Sequence, residues 1–141
     1  MTTTKWIIAL ISVFAAGLLL SIMSNRFADV GVERAQIAGV LRDLAAYRDP
    51  VADFYARNKK LPRDAVEAKL PASPDNKYLR EVSYDGAKGE LRARITGIPE
   101  AEGTSIVFKA DPTPDAMRWR CSSSDVPAKW LPKACQSPSE N

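Results

Sequence analysis

The sequence predicts an α+β fold in which one long N-terminal helix packs on a four-stranded antiparallel sheet. Three observations carry that prediction. An uncharged stretch from Trp6 to Asn25 runs directly into a segment of apolar residues at helical spacing. Four short runs of alternating character follow, the first two joined by a hairpin-length stretch with two glycines. Two cysteines, Cys121 and Cys135, then bracket the segment after the last run.

The first half of the helix is suited to lipid. About 20 residues at 1.5 Å rise span the roughly 30 Å hydrocarbon layer of a bilayer. The run is longer than the apolar core of a typical signal peptide, and Arg26 occupies the place where cleavage before residue 29 needs a small residue, so the segment is expected to stay attached. Lys5 on one side and Arg26 and Arg34 on the other leave orientation open by charge. The cysteines place the C-terminal part on the oxidising side, which makes this a single-pass anchor with the remaining chain outside. Three segments result: a transmembrane half at residues 1–25, an amphipathic half at 26–60, and residues 61–141, which form one domain with 26–60.

In the amphipathic half, Ile37, Val40, Leu41, Leu44, Tyr47, Val51, Phe54 and Tyr55 recur at intervals that place them on one face, separated by charged residues such as Arg42, Asp43, Arg48 and Asp53. Tyr47, Val51, Phe54 and Tyr55 are the candidates for helix–sheet packing. Pro50 removes a backbone donor and crowds the carbonyl four residues back, so a bend is expected near Ala46 to Asp49. The helix should end at Ala56 or Arg57, before Leu61-Pro62.

Residues 61 to 76 carry three prolines and no sustained period, which describes a connector with a short turn of helix at Arg63 to Lys69. Strands are expected at Tyr78 to Tyr84, Leu91 to Ile98, Thr104 to Lys109 and Met117 to Cys121. In the last three, apolar residues alternate with Arg92, Arg94, Lys109, Arg118 and Arg120. The first is ambiguous, since neither Tyr78/Arg80/Val82/Tyr84 nor Leu79/Glu81/Ser83 forms a cleanly apolar set.

Composition narrows the chemistry. The chain has 141 residues, a formal charge of +3 and no histidine, which removes imidazole acid–base catalysis. Two cysteines make no metal-ligand set, and Glu100, Asp111 and Asp115 form neither a carboxylate pair nor a calcium loop, so no cofactor, metal or catalytic residue is expected. Cys121 and Cys135 read as a disulfide that staples a small core, or as two free thiols in a reducing compartment. The five bases on the strands read as a solvated sheet face, or as an anion-binding surface that tracks DNA phosphates with Trp130 nearby to stack on a base.

The stretch from Glu33 to Pro62, ERAQIAGVLRDLAAYRDPVADFYARNKKLP, resembles the half-helix of a type IV pilin running into its helix-to-sheet loop. At the other end MRWRCSSSDVPAKWLPKAC resembles the pilin ending, in which Trp119 and Cys121 close the last strand and Trp130, Leu131, Pro132 and Cys135 complete a disulfide-bounded loop. The resemblance implies a non-enzymatic structural or accessory component of a type IV pilus system, serving adhesion or pilus assembly. It implies other pilins or pilus-assembly proteins as partners through the N-terminal helix, and a place in the bacterial inner membrane with the C-terminal domain in the periplasm, or in the pilus itself. The alternative reading is a DNA- or ligand-binding member that uses the basic sheet face. The N-terminus departs from the family pattern: Lys5 stands where the processing glycine belongs and Leu10 where the glutamate belongs, with Trp6 supplying the aromatic.

Overall fold

The structure, a computed structural model, describes Gly17, residues 31–72 and residues 74–136. The chain divides into two compact units, Met1–Glu33 and Arg34–Asn141. In the first unit the described residues, Gly17 and 31–33, are helical. The expected membrane-spanning half, Trp6 to Asn25, otherwise lies outside the described residues. Among the described residues no helix is long and apolar enough to cross a membrane.

Helical backbone at residues 31–43, labelled α1, is followed by the helix α2, Ala45–Asn58, with Leu44 as a single turn residue between them. The irregularity expected at Ala46 to Asp49 therefore falls slightly earlier. Pro50 offers no N–H to the Ala46 carbonyl and its ring crowds that group. The preceding turn tightens in response: the Leu44 carbonyl accepts from both Tyr47 N–H at 3.2 Å and Arg48 N–H at 3.1 Å. Helix α2 ends at Asn58, where Lys59 adopts the left-handed conformation at φ 53° and donates its N–H to the Tyr55 carbonyl at 2.8 Å.

The apolar stripe works as its spacing implies. Ile37, Val40, Leu44, Tyr47 and Val51 are buried, while Leu41, Phe54 and Tyr55 lie half-buried at its margins. Opposite them is a sheet of β1 (Leu79–Asp85), β2 (Glu90–Ile95), β3 (Ser105–Pro112) and β4 (Met117–Ser122), antiparallel throughout and in sequence order. Leu91, Ala93 and Ile95 of β2, with Ile106, Phe108 and Ala110 of β3, form its buried face. Strand β2 stops at Ile95 rather than Ile98, since Gly97 turns the chain at φ 69°; β3 continues past Lys109 to Pro112.

The ambiguity of β1 has a physical cause. Leu79 pairs with Ile95 and Glu81 with Arg94, so Arg80 is an extra residue in a β-bulge. The bulge changes the phase of the alternation: Leu79 before it and Val82 and Tyr84 after it all oppose buried β2 residues, Ile95, Ala93 and Leu91.

The connector packs against both layers. Its expected turn of helix appears as turn bonds, Ala68 N–H to Asp64 O at 3.2 Å and Leu70 N–H to Ala65 O at 2.9 Å, with the Asp64 carboxylate receiving Glu67 N–H at 2.8 Å. Further along, Asn76 donates to the Asp43 carboxylate at 2.6 Å and accepts Tyr78 N–H at 2.8 Å, which ties the connector to α1. The β1–β2 turn presses so closely on the connector that a Cβ on Gly86 would sit 2.1 Å from the Arg63 carbonyl oxygen.

Candidate functional site

Cys121 and Cys135 are joined in a disulfide with their Cα atoms 4.5 Å apart. The segment between them folds as a closed loop with its own core: Trp130 is 2% exposed and Leu131 1%. Two side chains organise it. The Ser123 hydroxyl donates to the Ser105 carbonyl at 2.7 Å and receives Val126 N–H at 3.1 Å, which fastens the loop's start to β3. Gln136, just past the second cysteine, donates its Nε2 to the carbonyls of Ala128 at 2.9 Å and Leu131 at 3.0 Å. The loop is thus held at both ends by side chain to backbone bonds in addition to the covalent link. Sequence reading missed both residues, since a serine among three and a glutamine near the chain end carry no spacing signal.

Of the packing candidates, Tyr47 and Val51 are buried. Tyr55 reaches further, donating its hydroxyl to the Thr113 carbonyl in the β3–β4 turn at 3.2 Å. Phe54 stays half-buried. The Tyr47 hydroxyl is buried with no hydrogen-bond partner among the described residues, and burial raises its pKa above the ordinary phenol value.

The five bases Arg92, Arg94, Lys109, Arg118 and Arg120 do come to the sheet face away from the helix, as the alternation requires. They do not come alone. Glu81 lies opposite Arg94, Glu90 opposite Lys109 and Asp111 opposite Arg118, and Asp85 flanks Glu90 on the same face. Lys109 Nζ is 3.8 Å from the Glu90 carboxylate and Arg120 Nε 3.7 Å from that of Asp111. The face that carries these bases is therefore mixed in sign. The signal was present in the sequence, because Glu90 shares the parity of Arg92 and Arg94, and Asp111 that of Lys109.

Two grooves lie along the margins of the helix. Toward β4 and the disulfide loop lies a groove of about 730 Å³ floored by Leu41, Phe108 and Trp119. Its charged lining residues are Arg42, Arg48, Lys109 and Arg120, of which Arg42 pairs with Asp43 at 3.5 Å, Lys109 with Glu90 at 3.8 Å and Arg120 with Asp111 at 3.7 Å. Arg48 is fixed there by its guanidinium, 4.8 Å from the centroid of the Phe108 ring. Toward β1 lies a smaller groove of about 380 Å³, whose charged lining is Asp43 and Asp75 among Ala46, Tyr47, Pro71 and Leu79. Among the described residues no cluster of histidine, cysteine, aspartate or glutamate is placed to hold a metal ion.

A helix laid on an antiparallel meander, with the last strand closed by a disulfide loop, is an arrangement with relatives. A family model described as pilin, a bacterial filament protein, matches residues 33–136. That span includes α2, all four strands and both cysteines. No curated protein matches this chain significantly.

Proposed function

This chain belongs to the pilin family, and on that premise we propose that it is a non-enzymatic structural component of a type IV pilus system that assembles with other pilin subunits. The observation that supports this most is the extent of the family match. The family match covers residues 33–136, from α1 to Gln136, the residue that fastens the disulfide loop.

The parts fit such a role physically. A helix whose buried stripe and sheet form one core gives a rigid body, and the disulfide keeps the loop's shape outside the reducing cytoplasm. The uncharged stretch from Trp6 to Asn25 suits a membrane or a bundle of neighbouring helices, which is why we place the protein in the inner membrane with its domain in the periplasm, from where it enters the pilus. With no histidine in the chain, the commonest general base is missing, which favours a structural role over catalysis.

Cross-linking in cells of a tagged full chain, followed by denaturing affinity isolation and mass spectrometry, tests the reading. Other pilin subunits, or second copies of the chain, should be the dominant cross-linked species. Isolation of the chain alone, at expression levels where established pilins cross-link readily, would contradict it.

A further inference from the structure

We propose that the groove beside β4 and the disulfide loop is a binding site for a small monocarboxylate with an apolar body, in which Arg48 holds the carboxylate and Leu41, Phe108 and Trp119 receive the body. This goes beyond the filament reading above and does not depend on it.

Arg48 stands apart among the cations of the groove. Arg42, Lys109 and Arg120 each have a carboxylate partner, whereas Arg48 has none among the described residues. The reason lies in the sequence. Along a helix the side chains in reach stand three and four residues away, and around Arg48 these are Leu44, Ala45, Val51 and Ala52, none of them acidic. On the sheet side its guanidinium meets the Phe108 ring, 4.8 Å from the centroid, which orients the charge but supplies no hydrogen-bond acceptor. Its Nε is buried with no hydrogen-bond partner among the described residues. A buried N–H on a charged group is costly to leave without an acceptor, and a carboxylate is the acceptor that the guanidinium fork fits best.

The same lining selects the class of ligand. With Asp43, Glu90 and Asp111 answering three of its four cations, the groove keeps one unanswered positive charge, which matches a single carboxylate rather than a polyanion. Leu41, Phe108, Trp119, Pro132 and Ala134 make the surface around it apolar, so the ligand carries an apolar body next to its charge. The volume of about 730 Å³ falls within the range of small-molecule sites, about 300 to 1,000 Å³.

The test titrates phenylpropionate into the full chain in mild detergent, read by calorimetry and by amide chemical shifts in NMR. Neutral phenylpropionamide, of the same shape, reports uptake that needs no charge. Wild type should bind the acid with shifts at Phe108, Trp119 and Cys121, and should bind the amide about tenfold more weakly. That comparison uses unaltered protein, so it holds whether or not a variant folds. Arg48→Gln should bind the acid about tenfold or more weakly than wild type. Lys129→Gln, beside Glu100 and outside the groove, should bind it as wild type does. Inorganic phosphate at equal concentration should not displace the acid. No binding of phenylpropionate, equal binding of acid and amide, undiminished binding by Arg48→Gln, shifts confined to residues outside the groove, or displacement by phosphate would each overturn the proposal.

Discussion

The hydroxyl of Tyr84 on β1 donates to the carbonyl of Pro62 at 3.2 Å, joining the sheet to the start of the connector. Burial of the ring, with Asp85 and Glu67 adding negative charge nearby, pushes the Tyr84 pKa up from 10.0 to about 12. The folded state therefore keeps this proton over a range in which the unfolded chain releases it. The contribution is fully present below pH 10 and is lost as pH rises toward 12. After allowance for solvent screening it amounts to about 1 kcal/mol. Urea unfolding at pH 8 and pH 10.5 should show a fall in stability in wild type that is smaller in Tyr84→Phe.

Tyr47 provides the opposite case. Its hydroxyl is buried without a partner among the described residues, so Tyr47→Phe removes an unsatisfied group rather than a bond. At pH 8, Tyr84→Phe should cost about 1 kcal/mol, while Tyr47→Phe should be neutral or slightly stabilising. Chemical denaturation of the two variants side by side checks the difference, and equal losses would contradict these assignments.

The disulfide between Cys121 and Cys135 spans a sequence separation of 14. Closing a loop of that size contributes about 3 kcal/mol in the chain-entropy account. Reductant should lower the denaturation midpoint of wild type to near that of Cys135→Ser, and should leave the variant's own midpoint unchanged. A wild-type midpoint indifferent to reductant would contradict the staple.

Gly86 and Gly103 separate two reasons for glycine. A Cβ at Gly86 would collide with the Arg63 backbone, whereas Gly103, at φ 75°, has open space around it. Gly103→Ala should cost about 1 kcal/mol from backbone conformation alone. Gly86→Ala should cost more, about 2 to 3 kcal/mol, because the β1–β2 turn and the connector must move apart. Thermal melts of both variants provide the ranking.

Where sequence reading succeeded and failed follows from what each signal contains. Spacing of Ile37, Val40, Leu44, Tyr47 and Val51 identified the buried helix face, since a helical period is local and nothing in the tertiary structure disturbs it. Alternation located β2, β3 and β4 for the same reason. It failed to orient β1 because Arg80 is an additional residue whose presence depends on pairing with β2. The helix irregularity at Leu44 was displaced from the expected window because the turn before Pro50, and not the residues beside it, absorbs the crowding. The mixed sign of the candidate binding face was not read by following bases alone. Glu81, Glu90 and Asp111 become cross-strand neighbours of those bases only through register. Both grooves depend on residues distant in sequence, such as Arg48 with Trp119 and Asp43 with Asp75, and no linear pattern connects them.

The central claim is that this chain is built into a pilus. Mechanical shearing of cells carrying an epitope-tagged full chain, followed by immunogold electron microscopy of the released filaments, addresses it most directly. The account predicts gold along filaments and the tagged chain in the sheared fraction. Filaments free of label, with the whole of the tagged chain retained in an unlinked membrane fraction, would contradict it.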